Sequence, residues 1–142
     1  MKLSYFITLF FLVLSVTTQS QVVDSLKVRS LPPAEFREAY QNSGKALLID
    51  VREFFEYKKS RLKDALNIPS MGNLDFAVDT IDKSNDLFFY CTSGFRSKRV
   101  AKYFYEHGFP IVYSLDGGII AWRKAGMEVV KKRVRRGQIH TS

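Results

Sequence analysis

The chain has 142 residues, with 22 Lys plus Arg against 14 Asp plus Glu, for a formal net charge of +8. Its 46% hydrophobic and 25% charged content is that of a globular chain, which excludes a wholly disordered or collagen-like one, and the length suits a single domain. One cysteine, Cys91, and two histidines, His107 and His140, exclude an internal disulfide framework and a Cys-rich zinc site.

In chain order, Lys2 precedes the apolar run Tyr5 to Leu14, and Thr18-Gln19-Ser20 follows with small residues at positions 18 and 20. This pattern is that of a secretory leader cut after Ser20. The apolar stretch from Leu3 to Val16 is shorter than the roughly 20 residues that a spanning helix needs, so no stable membrane span is expected after cleavage. The protein is expected to be exported, to a periplasm or beyond. Residues 21–27 form a short lead-in, and residues 28–129 are expected to form the folded domain.

Lys27-Val28-Arg29 suits a first short strand, and Leu31-Pro32-Pro33 a helix start, since proline is tolerated in a first turn. Phe36 and Tyr40 share one face of that helix, and Asn42-Ser43-Gly44 ends it. Ala46 to Ile49 is a continuous apolar run, as in a parallel strand covered on both faces, and it ends in Asp50. A short helix follows from Glu53 to Lys58, then a strand at Ala65 to Ile68 closed by Pro69. Leu74, Ala77, Val78 and Ile81 have helical spacing. Leu87 to Tyr90 is a second fully apolar strand, leading straight into Cys91. Arg96 to His107 is an amphipathic helix with Val100, Ala101 and Phe104 on one side and Gly108 as its stop. Ile111 to Ser114 is the last strand, and Gly118 to Lys124 the last helix. Strands alternating with helices predict an α/β fold with a parallel sheet.

Residues 130–142 form a basic tail in which Lys131, Lys132, Arg133, Arg135 and Arg136 place five positive charges within six positions. No aromatic residue interrupts it, so it offers no platform for stacking bases. A solvated tail is expected, without a nucleic-acid partner.

Chemistry concentrates in Cys91-Thr92-Ser93-Gly94-Phe95-Arg96-Ser97, between an apolar strand and a helix. Ligands of open parallel sheets bind beyond the carboxyl ends of the strands. Backbone N–H groups in such a loop and at the following helix start can converge on an anion. A free thiol is mostly protonated at neutral pH, and convergent donors, the helix dipole and Arg96 all favour its thiolate. Gly94 allows a tight curl. The bland alternative is a small buried hydrophobe at a strand end.

Three separated blocks now resemble the single-domain rhodaneses, the sulfurtransferase family, over about 100 residues from Val28 to Val129. They are Leu47 to Glu53 with Glu56 and Tyr57, then Cys91 to Ser97, then Ser114 to Ile119 with Ala121, Trp122 and Gly126. The resemblance implies a rhodanese-like five-stranded parallel sheet flanked by helices. It implies a thiolate on Cys91 that takes a sulfur from a small-molecule donor such as thiosulfate and passes it, as a persulfide, to a thiophilic acceptor. Arg96 is expected to attract the donor, and the amides of Thr92, Ser93, Gly94, Phe95 and Arg96 to hold the terminal sulfur. Asp50 and Arg52 are expected to form an internal pair that shapes the site. Neither a metal nor an organic cofactor is implied. This chain departs from the family where Ser60-Arg61-Leu62-Lys63-Asp64-Ala65 replaces Gly-His-Ile-x-Gly-Ala, and in having the small Thr92 after the cysteine.

Two rivals stand beside this reading. A cysteine phosphatase needs five residues between Cys and Arg, and here there are four. A binding module that kept the fold and lost the chemistry has no need of the cysteine. Asp116 is expected to cap a helix, and Trp122 to fill core. His107 sits at a helix end and His140 in the tail, without partner spacing for a dyad or metal. N-terminal sequencing of exported material should begin at Gln21; full-length protein held in the membrane fraction would contradict the cleavage.

Overall fold

The computed structural model describes residues 28–131; the expected leader, the lead-in and the tail beyond Lys131 lie outside them. The two continuous apolar runs become neighbouring strands. β2 (Ala46–Asp50) pairs in parallel with β4 (Asp86–Tyr90), in a register from Ala46 opposite Asp86 to Asp50 opposite Tyr90. β5 (Val112–Leu115) lies on the far side of β4, and β1 (Arg29–Leu31) lies outside β5. β3 (Leu66–Asn67) closes the other edge against β2. The five-stranded order is therefore β1-β5-β4-β2-β3, parallel throughout.

β4 lies in the middle of the sheet, and Leu87, Phe88, Phe89 and Tyr90 are all fully buried. That is why its sequence does not alternate: both faces are covered. Successive side chains still point to opposite faces. Leu87, Phe89 and Cys91 face one core, shared with α3 (Leu74–Thr80) through Ala77 and Val78 and with α4 (Phe95–Glu106) through Val100, Ala101 and Phe104. Phe88 and Tyr90 face the other core, with Phe36 of α1 (Pro33–Asn42) and Ile119 of α5 (Gly118–Lys124). Phe36 and Tyr40 both meet the Phe88 ring edge-on at 5.5 Å. Parity along one strand thus decides that Cys91 sits on the α4 side.

Three local expectations are corrected. The first strand starts at Arg29 and takes in Leu31, because pairing with Tyr113, Ser114 and Leu115 sets its span and Leu31 is its buried residue. Asp116 does not cap α5; its side chain is exposed, its N–H donates to the Leu31 carbonyl at 2.8 Å, and Gly117 occupies the cap position in a left-handed conformation. Val130, assigned to the tail, exchanges two backbone hydrogen bonds with Arg61, at 3.0 and 2.7 Å.

The turn that departs from the family is also resolved. Asp64 stands where a glycine is usual and adopts φ 64° itself, a left-handed conformation that aspartate tolerates better than most residues. α2 (Phe54–Lys59) precedes this turn. Among the described residues, no helix is long and apolar enough to cross a membrane.

Phe104 is fully buried, with Phe89 at 5.0 Å and Phe109 at 5.2 Å between ring centroids. Phe104→Ala should destabilise the domain by about 3–5 kcal/mol. Urea unfolding should show a lowered midpoint at unchanged slope; a shift equivalent to less than about 1 kcal/mol would mean that α4 does not depend on this ring.

Candidate active site

The site lies at the carboxyl ends of β2 and β4. Val51 N–H donates to the Tyr90 carbonyl at 3.0 Å, so the chain after Asp50 runs beside the chain that enters Cys91. Cys91 is only 1% exposed, which places its side chain at the floor of the loop. The loop curls back so that Gly94 N–H donates to Sγ at 3.1 Å. Gly94 caps α4 with φ 92°, and the twelve-residue helix directs its positive end at the loop.

Burial is the largest influence on the Cys91 thiol, and it pushes the pKa up. The Ser97 N–H and hydroxyl, with the N–H groups of Ser93 and Gly94, together outweigh it and leave the pKa below its ordinary value. Ser97 is fully buried, with its hydroxyl 2.9 Å from Ser114 Oγ and 3.1 Å from the Gly94 carbonyl. If Ser114 donates to Ser97, the single Ser97 proton is free to turn to Gly94 or to a thiolate. Sequence reasoning included Ser97 in the segment that carries chemistry but gave it no role. Its signal was present, since Ser97 falls on the same helical stripe as Val100, Ala101 and Phe104, and a polar residue on a buried stripe requires a partner.

Arg96 takes a partner that spacing did not reveal. Its guanidinium grips Glu56 of α2, with Nη1 to Oε2 at 3.0 Å and Nη2 to Oε1 at 3.1 Å. Nη2 also donates to Thr92 Oγ1 at 3.0 Å, and Thr92 Oγ1 donates to Glu56 Oε1 at 2.8 Å. The Glu56 carboxylate further accepts the Glu53 N–H at 3.2 Å. Arg96 foremost, with Thr92 and the Glu53 backbone, holds Glu56 at a pKa of about 2 against the opposing effect of burial. Thr92 and Arg96 therefore pin both ends of the loop to one carboxylate. Ser93 and Phe95 are exposed at the loop's rim.

The opposite wall is the Gly117-Gly118 start of α5. Ile119 N–H donates to the Cys91 carbonyl at 2.9 Å and Ile120 N–H to the Thr92 carbonyl at 3.2 Å. At Gly118, φ is 60° and an added Cβ would come within 2.5 Å of the Cys91 and Thr92 backbone. Only glycine permits this approach.

Asp50 and Arg52 are both buried, at 0% and 4% exposure. Arg52 Nε and Nη2 donate to the Asp50 carboxylate at 2.6 to 3.1 Å, and Nη2 also donates to the Ser60 carbonyl at 2.6 Å. Burial opposes the guanidinium charge, and Asp50 overcomes it. Asn67 Nδ2 bridges the Asp50 and Arg52 carbonyls at 3.0 and 2.8 Å. The pair thus ties β2, β3 and the Ser60 turn together behind the loop. Among the described residues no cluster of His, Cys, Asp and Glu is arranged to hold a metal.

Ser97→Ala removes a hydroxyl that lowers the Cys91 pKa, so it should raise that pKa. The rate of Cys91 alkylation by iodoacetamide against pH reads the thiolate directly. Its inflection should move to higher pH; an unmoved inflection would confine Ser97 to helix packing.

Comparison with known proteins agrees with this geometry. Residues 32–125 match the Rhodanese-like domain family. The chain is 34% identical over 97 residues to the putative sulfurtransferase YtwF of Bacillus subtilis, covering 68% of this chain and 92% of that protein. It is 37% identical over 84 residues to a sulfurtransferase of Allochromatium vinosum, covering 59% of this chain and 78% of that one. It is also 38% identical over 82 residues to the tRNA uridine(34) hydroxylase of Hamiltonella defensa, covering 54% of this chain but only 23% of that longer protein. Among solved structures, a rhodanese-related protein from Thermoplasma volcanium superposes with a TM-score of 0.64 at 27% identity, covering 73% of this chain and 99% of that chain. A buried cysteine within a ring of amide donors, on a five-stranded parallel sheet, thus coincides with sequence similarity along the whole domain, and the chain belongs to the rhodanese-like family, with sulfurtransferases among its relatives.

Proposed function

We propose that the protein is a sulfurtransferase that moves a sulfane sulfur from thiosulfate, or a similar anionic donor, to a thiophilic acceptor through a persulfide on Cys91. The observation that carries this reading is the set of donors around Sγ, which stabilises one negative charge on a buried sulfur. The Cys91 thiolate attacks the outer sulfur of thiosulfate. The S–S bond of the donor breaks, and sulfite leaves with the electron pair. An acceptor nucleophile then attacks the outer sulfur of the persulfide, and the Cys91 thiolate leaves. Splitting the transfer into two displacements is covalent catalysis. Neither displacement calls for a redox cofactor, because the electrons remain in the bonds exchanged.

In this reading the amides of Thr92 to Arg96 receive the transferred sulfur. The Arg96–Glu56 pair keeps those amides oriented, and the Arg96 charge contributes to the field that meets the anionic donor. The gap of four residues between Cys91 and Arg96 favours sulfur over phosphate, since it leaves less room for a tetrahedral oxyanion. We place the reaction outside the cytoplasm, on the strength of the leader-like residues 1–20.

Thiosulfate should add one sulfur atom to the intact mass, cyanide should remove it as thiocyanate, and Cys91→Ser should abolish the change while leaving the circular dichroism unaltered. Turnover of an aryl phosphate at a higher kcat/KM than thiosulfate would reverse the assignment.

A further inference from the structure

Beside the loop lies an open cleft of about 490 Å3, lined by Glu53, Met71, Leu74, Arg96, Arg99 and Tyr103 among others. It shares Arg96 with the loop and Val100 with the core behind Cys91. Its volume lies within the range of small-molecule sites. Its charges are unevenly matched. Glu56 engages Arg96 through two hydrogen bonds. Glu53 also acts on Arg96 electrostatically, but its Oε1 is buried with no hydrogen-bond partner. The side chain is half-buried and also meets the Glu56 backbone at the start of α2, so the unpaired charge is confined to that one oxygen, where burial strengthens its attraction for a cation. Arg99 follows Arg96 by three residues on α4, about 4.5 Å along the helix. It makes no ion pair or hydrogen bond among the described residues. The cleft is therefore lined by an acidic group with one unpaired oxygen and by an exposed basic group that has no protein partner among the described residues. Met71, which is 87% exposed, and Leu74 add apolar lining.

We propose that this cleft is the acceptor subsite and selects a zwitterionic thiol, an amino acid or short peptide of the cysteine type, with its ammonium toward Glu53 and its carboxylate toward Arg99. This rests on the persulfide reading above. A thiol held there has its sulfur at the edge of the Cys91 loop and its charged groups directed away from it. Its thiolate attacks the outer sulfur of the persulfide, the S–S bond to Cys91 breaks, and the Cys91 thiolate leaves with the electron pair. The acceptor departs as its own persulfide.

Four thiols separate the two charges: cysteine has both, cysteamine the ammonium alone, 3-mercaptopropionate the carboxylate alone, and 2-mercaptoethanol neither. The enzyme is first loaded with thiosulfate, the persulfide is verified by intact mass, and excess donor is removed. Discharge by each thiol is then followed for wild type, Arg99→Gln and Glu53→Gln. Comparing variant with wild type for the same thiol cancels its intrinsic reactivity. Arg99→Gln should slow cysteine and 3-mercaptopropionate about five- to tenfold relative to the two thiols lacking a carboxylate. Glu53→Gln should slow cysteine and cysteamine by a similar factor relative to the two lacking an ammonium. Added salt should reduce both effects. Equal slowing of all four thiols would mean that these residues only support the loop, and unchanged rates would take the acceptor out of the cleft; either result overturns the proposal and leaves the sulfurtransferase reading standing. Failure to load a persulfide would overturn both.

Discussion

The structure is organised around easing the ionisation of a sulfur that is almost wholly buried. Cys91 is 1% exposed, and burial alone would keep its proton in place. The loop after it and the start of α4 offset that penalty. β4 ends at Tyr90, so the next residue, Cys91, faces α4. The loop then turns the Ser93 and Gly94 N–H groups toward Sγ, and α4, capped by Gly94, directs its dipole at the sulfur. These donors are backbone groups, so they act only if the loop keeps one shape. The remaining polar contacts serve that shape.

Two fastenings provide it. On one side, Thr92 and Arg96 share the Glu56 carboxylate, so the loop's second and sixth residues are held to α2. On the other, the Gly117-Gly118 turn comes so close that only hydrogens fit between it and the Cys91–Thr92 backbone. Behind both, Asp50 and Arg52 form a buried, fully bonded ion pair. Such a pair contributes little net stability, because desolvation offsets most of its attraction. Its value here is geometric: it joins β2, β3 and the Ser60 turn, and α2 lies between that turn and the end of β2. The position of Glu56, and hence of the loop, depends on this frame.

What the sequence disclosed follows from the range of each interaction. The central strands were legible because burial on both faces leaves an unbroken apolar run, as in Leu87 to Tyr90. The edge strand β1 was misplaced by two residues, since its limits come from pairing with Tyr113 to Leu115, more than 80 residues away. The Cys91 loop was legible because its donors are local. The Glu56 partner of Arg96 was not, because 40 residues separate them and no periodicity links a helix residue to a distant loop. The role of Ser97 could have been found from its place on the buried stripe of α4. Asp116 misled because a carboxylate before a helix usually caps it, whereas here two left-handed glycines start the helix and leave that side chain in solvent. Asp64 preserved a turn whose glycine is missing because aspartate itself tolerates the left-handed region.

The commitment of Arg96 to Glu56 also bears on how one loop serves two half-reactions. Under the proposed scheme the charge sits first on Cys91 Sγ and then on the outer sulfur of the persulfide, one bond further from the loop's floor. A mobile side-chain cation would have to follow that shift, losing part of its solvation and rotamer freedom at each step. Fixed amides need no such movement: the Ser93, Gly94 and Ser97 N–H groups already act on Sγ, and in this scheme the loop's further amides meet the outer sulfur. Preorganised donors of this kind stabilise developing charge without reorganising. The ion pair that commits Arg96 to Glu56 is therefore not a loss to the site: it converts a flexible charge into the brace that keeps the amides aligned.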